Sequence, residues 1–98
     1  MTLQHKATDV AALLKSLAHP QRLMVLCHLT QGPAHVGALQ AAVGLEQAAT
    51  SQILARLRRE GLVEARKQGQ QVVYRLADPR VAELMAVMAR LYCKEDEA

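Results

Sequence analysis

Apolar side chains recur along this chain in five blocks with helical spacing and in one pair of short, Val-containing runs. Val10, Leu13, Leu14 and Leu17 fit one face of a first helix, which Thr8 or Asp9 can cap. Pro20 closes that helix and suits the first turn of the next. There Leu23, Leu26 and Cys27 mark the inner face, with Thr30 continuing it, until Gly32-Pro33 breaks the pattern. A short third helix over about 35–42 turns Val36, Leu39 and Val43 inward, and Gly44 ends it. The fourth runs from about 46 to 60, with Thr50, Ile53, Leu54 and Leu57 as its core stripe. Gly61 then suits a left-handed helix terminus. Residues 62–67 and 71–76 read as strands joined by a Gln-Gly-Gln tip. Asp78-Pro79 opens a last helix, whose stripe is Val81, Leu84, Met85, Met88, Leu91 and Tyr92.

The predicted order is therefore four helices, a β-hairpin and a fifth helix, a mainly α chain with one small β element. Two short helices joined by a tight turn and followed by a hairpin make a winged helix-turn-helix. In it the second helix of the pair enters the major groove and the hairpin lies along the backbone. No repeat, linker or low-complexity segment interrupts residues 1–98, so one domain serves both DNA binding and dimerisation.

Composition sharpens this picture. There is no Phe or Trp, and the only aromatic residues are Tyr74 and Tyr92. A small core built largely from Ala, Leu and Val buries limited area. The stripes of the first and last helices, with Leu13, Leu17, Val81, Leu84, Met85, Met88 and Leu91, are expected to supply further burial in a homodimer. Met85 and Met88 read there as packing residues rather than oxidant sensors. Net charge is only +3, but it is unevenly placed. Between residues 54 and 76 stand Arg56, Arg58, Arg59, Arg66, Lys67 and Arg75 against Glu60 and Glu64. A basic helix followed at once by a basic hairpin suits a nucleic-acid backbone.

The outer face of the fourth helix presents Gln47, Ala48, Ser51, Gln52, Arg56 and Arg59. Gln can pair bidentately with adenine, Ser adapts to several bases, and Arg suits phosphate or guanine. Arg66, Lys67 and Gln70 of the hairpin can reach the backbone or the minor groove. Arg58 is the arginine of this helix suited to an ion pair within the protein. The partner expected from these residues is double-stranded operator DNA. No apolar run reaches membrane-spanning length and no signal peptide is apparent, so a cytoplasmic location is expected, with no membrane contact. Two cysteines in that compartment do not suggest a permanent disulfide. No Cys-x-x-Cys and no cluster of acid, base and nucleophile stands out. An enzyme, such as a thiol oxidoreductase, is the least favoured class, and no cofactor is expected.

The phrases LAHPQRLMVLCHL, VGALQAAVGL, TSQILARLRREGLV and VVYRLADP resemble the ArsR/SmtB family of bacterial transcriptional regulators, over nearly the whole chain. The resemblance implies a homodimeric repressor. It also implies an inducer, often a metal held by a Cys-x-Cys pair on the third helix or by Asp, His and Glu on the last. Neither pattern is present: the third helix reads HVGALQAA, and every His lies at or before His35.

The contexts LCHL and RLYCKE instead resemble the sulfide- and redox-responsive subgroup of the BigR/SqrR/HlyU type. That resemblance implies that Cys27 and Cys93 sense reactive sulfur species or oxidants through a disulfide or polysulfide link. By chemistry alone Cys27, among Leu23, Leu26 and Leu29, is equally a small buried hydrophobe. Arg90 and Lys94 favour a thiolate at Cys93, whereas Glu95 and the negative helix end oppose it. Two alternatives accompany the thiol switch. One is a constitutive DNA binder that displaces another protein. The other is a metal-responsive repressor with an atypical site built from Cys27 and the histidines at 5, 19, 28 and 35. For His19, beside Pro20, a packing or capping role is the simpler expectation. Relatives commonly carry Ser at the place of Glu46, Ser or Pro at Ala48, and His at Ile53, so the operator is expected to differ from the usual one.

Overall fold

The computed structural model describes residues 3–92. Its elements are α1 (Leu3–Leu17), α2 (Pro20–Leu29), β1 (Ala34–His35), α3 (Val36–Val43), α4 (Gln47–Arg59), β2 (Val63–Gln68), β3 (Gln71–Leu76) and α5 (Pro79–Tyr92). Helix α1 starts upstream of the predicted cap, so Thr8 and Asp9 are exposed residues within the helix. Residues 4–9 are all exposed and include no apolar side chain larger than that of Ala7, and apolar spacing alone therefore missed them. Pro20 occupies the start of α2, preceded by His19 in an extended conformation. The His19 side chain makes no capping bond and is exposed, contrary to its expected role.

Helix α2 is central: it touches α1, α3, α5 and β3. Its buried arc is correspondingly wide, with Val25, Leu26 and Leu29 in the core and the predicted Leu23 and Cys27 half-buried. Thr30 closes the helix by donating its hydroxyl to the Cys27 carbonyl at 2.6 Å. Helix α3 begins under His35, whose Nδ1 accepts from the Ala38 N–H at 3.3 Å. A Cβ on Gly37 would lie 3.3 Å from that imidazole ring, so glycine gives the ring its room. Gly44 ends α3 with φ +71, a conformation that strains any residue carrying a Cβ.

The sheet has three strands in the order β1-β3-β2, all antiparallel. The hairpin was expected; the short β1, pairing Ala34 with Tyr74 and His35 with Val73, was not. Two residues after Pro33 carry no alternation to read. The hairpin tip is also tighter than its Gln-Gly-Gln reading. Gln68 pairs with Gln71, leaving Gly69 and Gln70 as a two-residue turn whose positive φ, +62, falls on Gly69.

One cluster of buried side chains joins all five helices to the hairpin, centred on Leu26, Leu39, Leu54 and Leu57. Thr50 is the buried polar residue of this core, and its hydroxyl is satisfied by the Glu46 carbonyl at 3.0 Å. The cluster also claims part of the expected dimer stripe. Leu17, Val81 and Met85 are buried within the single chain, so they are core residues here. A domain with a thin core draws on these helices for its own burial. Leu13, Leu84 and Met88 are half-buried at the margin of that core, while Leu14, Leu91 and Tyr92 stand exposed. No helix among the described residues is long and apolar enough to cross a membrane.

Candidate nucleic-acid interface

Helix α4 is fixed in rotation by its own inner stripe. Thr50, Leu54 and Leu57 are fully buried, at i, i+4 and i+7, and Ile53 packs beside them. The remaining arc must face outward. Gln47, Ala48, Ser51, Gln52, Arg56 and Arg59 are all exposed on it. Glu46 stands at the N-cap in an extended conformation without a side-chain capping bond, where its charge favours the positive helix end. The C-terminal turn holds Arg56, Arg58 and Arg59, favourable at the negative end. Gly61 then turns the chain into the wing, where Arg66, Lys67 and Gln70 are exposed.

Ion pairs redistribute the charge counted in the sequence. Glu60 accepts from Arg56 Nε at 3.3 Å, and Glu64 accepts from Arg75 Nε at 2.9 Å across directly opposed positions of β2 and β3. Arg75 is thus a wing-root residue already matched by an acid. The helix arginine in an internal pair is Arg56, not the expected Arg58. Arg58, Arg59, Arg66 and Lys67 make no ion pair among the described residues. The strip from the end of α4 to the wing is therefore more strongly basic than the net charge conveys.

Glu60 is also held from a second side. The Ser16 hydroxyl of α1 donates to its carboxylate, and this bond, ahead of Arg56, holds the acid below its ordinary range. At the start of α5, Asp78 accepts the Arg80 backbone N–H at 2.9 Å and takes both forks of the same guanidinium. Its carboxyl is lowered by those side-chain and backbone bonds. Arg22 of α2 donates to the Ser16 carbonyl at 3.0 Å. The sequence reading did not single out Ser16 or Arg22, and it counted Glu60 only as an acid. The i, i+4 spacing of Arg56 and Glu60 was a usable signal; the contact between residues 16 and 60 had none.

Cys27 is half-buried in α2, and Cys93 lies outside the described residues. His35 is engaged in capping α3. Among the described residues, no group of three or more His, Cys, Asp or Glu is arranged to hold a metal ion.

Residues 19–65 match the family described as bacterial regulatory protein, arsR family. The chain is 42% identical to the biofilm growth-associated repressor of Agrobacterium fabrum, over 97% of its own length and 81% of that protein. The chain belongs to the ArsR family of bacterial regulators. This ArsR-family chain is also 38% identical to the transcriptional activator HlyU of Vibrio cholerae, over 97% of its length and 88% of HlyU. Its fold matches a homodimeric winged helix-turn-helix DNA-binding domain from Mycobacterium bovis with a TM-score of 0.77 and 35% identity, over 99% of this chain and 91% of that one. It is a DNA-binding transcriptional regulator of the BigR and HlyU type, with α3 and α4 as the helix-turn-helix and β2–β3 as the wing.

Proposed function

We propose that this regulator represses transcription as a homodimer gripping two operator half-sites, and that linkage of Cys27 to Cys93 releases it. The observation that carries the DNA reading is the outward strip of α4 continuing into the wing, mostly polar and basic. Gln47, Ser51 and Gln52 stand where base edges are read. Ala48 is small enough to allow close approach. Arg56, Arg59, Arg66 and Lys67 neutralise phosphates, with Gln70 at the wing tip. Gln52→Ala is expected to lower affinity for the matched operator and leave a scrambled duplex unaffected. Lys67→Ala is expected to weaken both alike. Competition titrations with the two duplexes check this, and identical effects of both substitutions would overturn the division of roles.

The switch reading is supported by the packing of α2, which bears Cys27, against α5, whose last described residue, Tyr92, directly precedes Cys93. The reactant is an inorganic polysulfide. The Cys93 thiolate attacks its terminal sulfur, breaks an S–S bond and releases a polysulfide shorter by one sulfur. Cys93 is left as a persulfide. The Cys27 thiolate then attacks the inner sulfur of that persulfide, expels hydrosulfide and leaves a Cys27–Cys93 disulfide. Two thiols have lost two electrons, the polysulfide chain has gained them, and both thiol protons leave with the released sulfides. The link ties α2 to α5 and alters the spacing at which two copies of α4 are presented.

The test is a fluorescence-anisotropy titration against the chain's own upstream intergenic DNA, with thiols reduced and after polysulfide treatment. Affinity is expected to fall on the order of 10- to 100-fold on treatment. Dithiothreitol should reverse the loss, and Cys93→Ser should be insensitive. Equal affinity in the two states would overturn the switch and leave a DNA binder governed by something else.

A further inference from the structure

At the C-terminal end of α4, four side chains from three helices form one connected set. Arg22 of α2 donates Nη1 to the backbone carbonyl of Ser16 in α1 at 3.0 Å. The Ser16 hydroxyl donates to Oε1 of Glu60, just beyond α4. The other oxygen of that carboxylate, Oε2, accepts from Arg56 Nε at 3.3 Å. Arg56 is held by Nε alone. Its two Nη groups make no hydrogen bond among the described residues. These are the paired donors that grip phosphate oxygens or the guanine O6/N7 edge.

We infer that Ser16 and Glu60 are positioning residues for Arg56, holding its guanidinium by Nε so that the Nη fork is presented to operator DNA in one orientation. An arginine on an exposed helix end otherwise samples many rotamers, and ordering it on DNA costs entropy. Fixing one edge beforehand reduces that cost and makes the contact geometrically selective. Because the carboxylate is anchored by α1, the helix end cannot swing without breaking the bond to Ser16. The lowered titration range of Glu60 agrees with a carboxylate kept charged by these donors. Both residues line a groove of about 700 Å³ between α1, the α4–β2 turn and the start of α5. Of its acids, Glu60 is engaged by Ser16 and Arg56, and Asp78 by Arg80.

The inference rests on α4 meeting DNA, and the experiment separates the two. Ser16→Ala changes no charge and does not touch the proposed DNA face. Operator affinity of the reduced dimer is measured for Ser16→Ala, Arg56→Ala and the double variant, with thermal unfolding followed alongside. Ser16→Ala is expected to lower affinity about threefold per subunit, near the small end for an exposed bond to a charged group. It should have no further effect in the Arg56→Ala background, and Ser16→Thr, which keeps the hydroxyl, should restore the wild-type value. If Ser16→Ala is neutral, raises affinity, or costs the same factor with and without Arg56, the positioning role is overturned. If Arg56→Ala itself leaves affinity unchanged, what fails is the placement of Arg56 on DNA.

Discussion

Operator affinity of the reduced protein will fall by about four orders of magnitude as salt rises from about 50 to about 200 mM. The expectation follows from the basic strip. Arg56, Arg59, Arg66 and Lys67 are exposed on α4 and the wing, and a two-fold dimer presents the set twice. Eight neutralised phosphates release their condensed counterions and give a slope of about −7 in log affinity against log salt. Arg75, half-buried at the root of the wing, is left out of this count. Anisotropy titrations at several salt concentrations measure the slope directly. A slope of about −3 or shallower would mean that α4 or the wing does not reach the backbone, and the interface would have to be redrawn.

Leu91→Glu will leave the chain folded, make it monomeric and lower operator affinity by about 100-fold or more. Leu91 is 55% exposed in the single chain, so a charge there meets water and disturbs no core contact. In a dimer the same side chain would be covered, together with Leu14 and Tyr92, and a buried unpaired carboxylate would oppose association. A monomer holds one half-site at a time and loses the effective concentration that the second contact supplies. Leu17, Val81 and Met85 are unsuitable for this test, because their burial within one chain makes folding and association fail together. Light scattering reports the mass and anisotropy the affinity. A monomer that binds as tightly as the wild type would defeat the two-half-site arrangement.

Much of the fold was legible because its helices are amphipathic and end in recognisable signals. Pro20, Gly44, Gly61 and Asp78-Pro79 each mark a boundary that the structure keeps within a residue or two. The outer face of α4 was legible for the same reason, since Thr50, Leu54 and Leu57 leave only one arc for the polar residues. Three features were not. Between Gln4 and Asp9, α1 carries no apolar side chain larger than that of Ala7, and β1 is too short to alternate. The division of apolar stripes between core and interface depends on how helices cross, which periodicity does not contain. Leu84 and Met85 are adjacent on one stripe, yet Met85 is buried and Leu84 only partly so. At the interface, residue types and spacing pointed to the basic strip, while the pairing of Arg75 with Glu64 and of Ser16 with Glu60 needed three-dimensional neighbours.

The strand order of the sheet has a bearing on the protein when it is not on DNA. With β3 in the centre, β2 is an outer strand, and its free side offers backbone donors and acceptors to any extended chain that passes. Such edges invite intermolecular pairing and aggregation unless they are guarded, and lysine and arginine are effective guards. Arg66 and Lys67 sit on this strand. The side chains proposed to meet phosphate therefore also repel a second wing in free solution. Removing both would sacrifice solubility together with affinity, which gives the cell a reason to keep them that has nothing to do with recognising an operator.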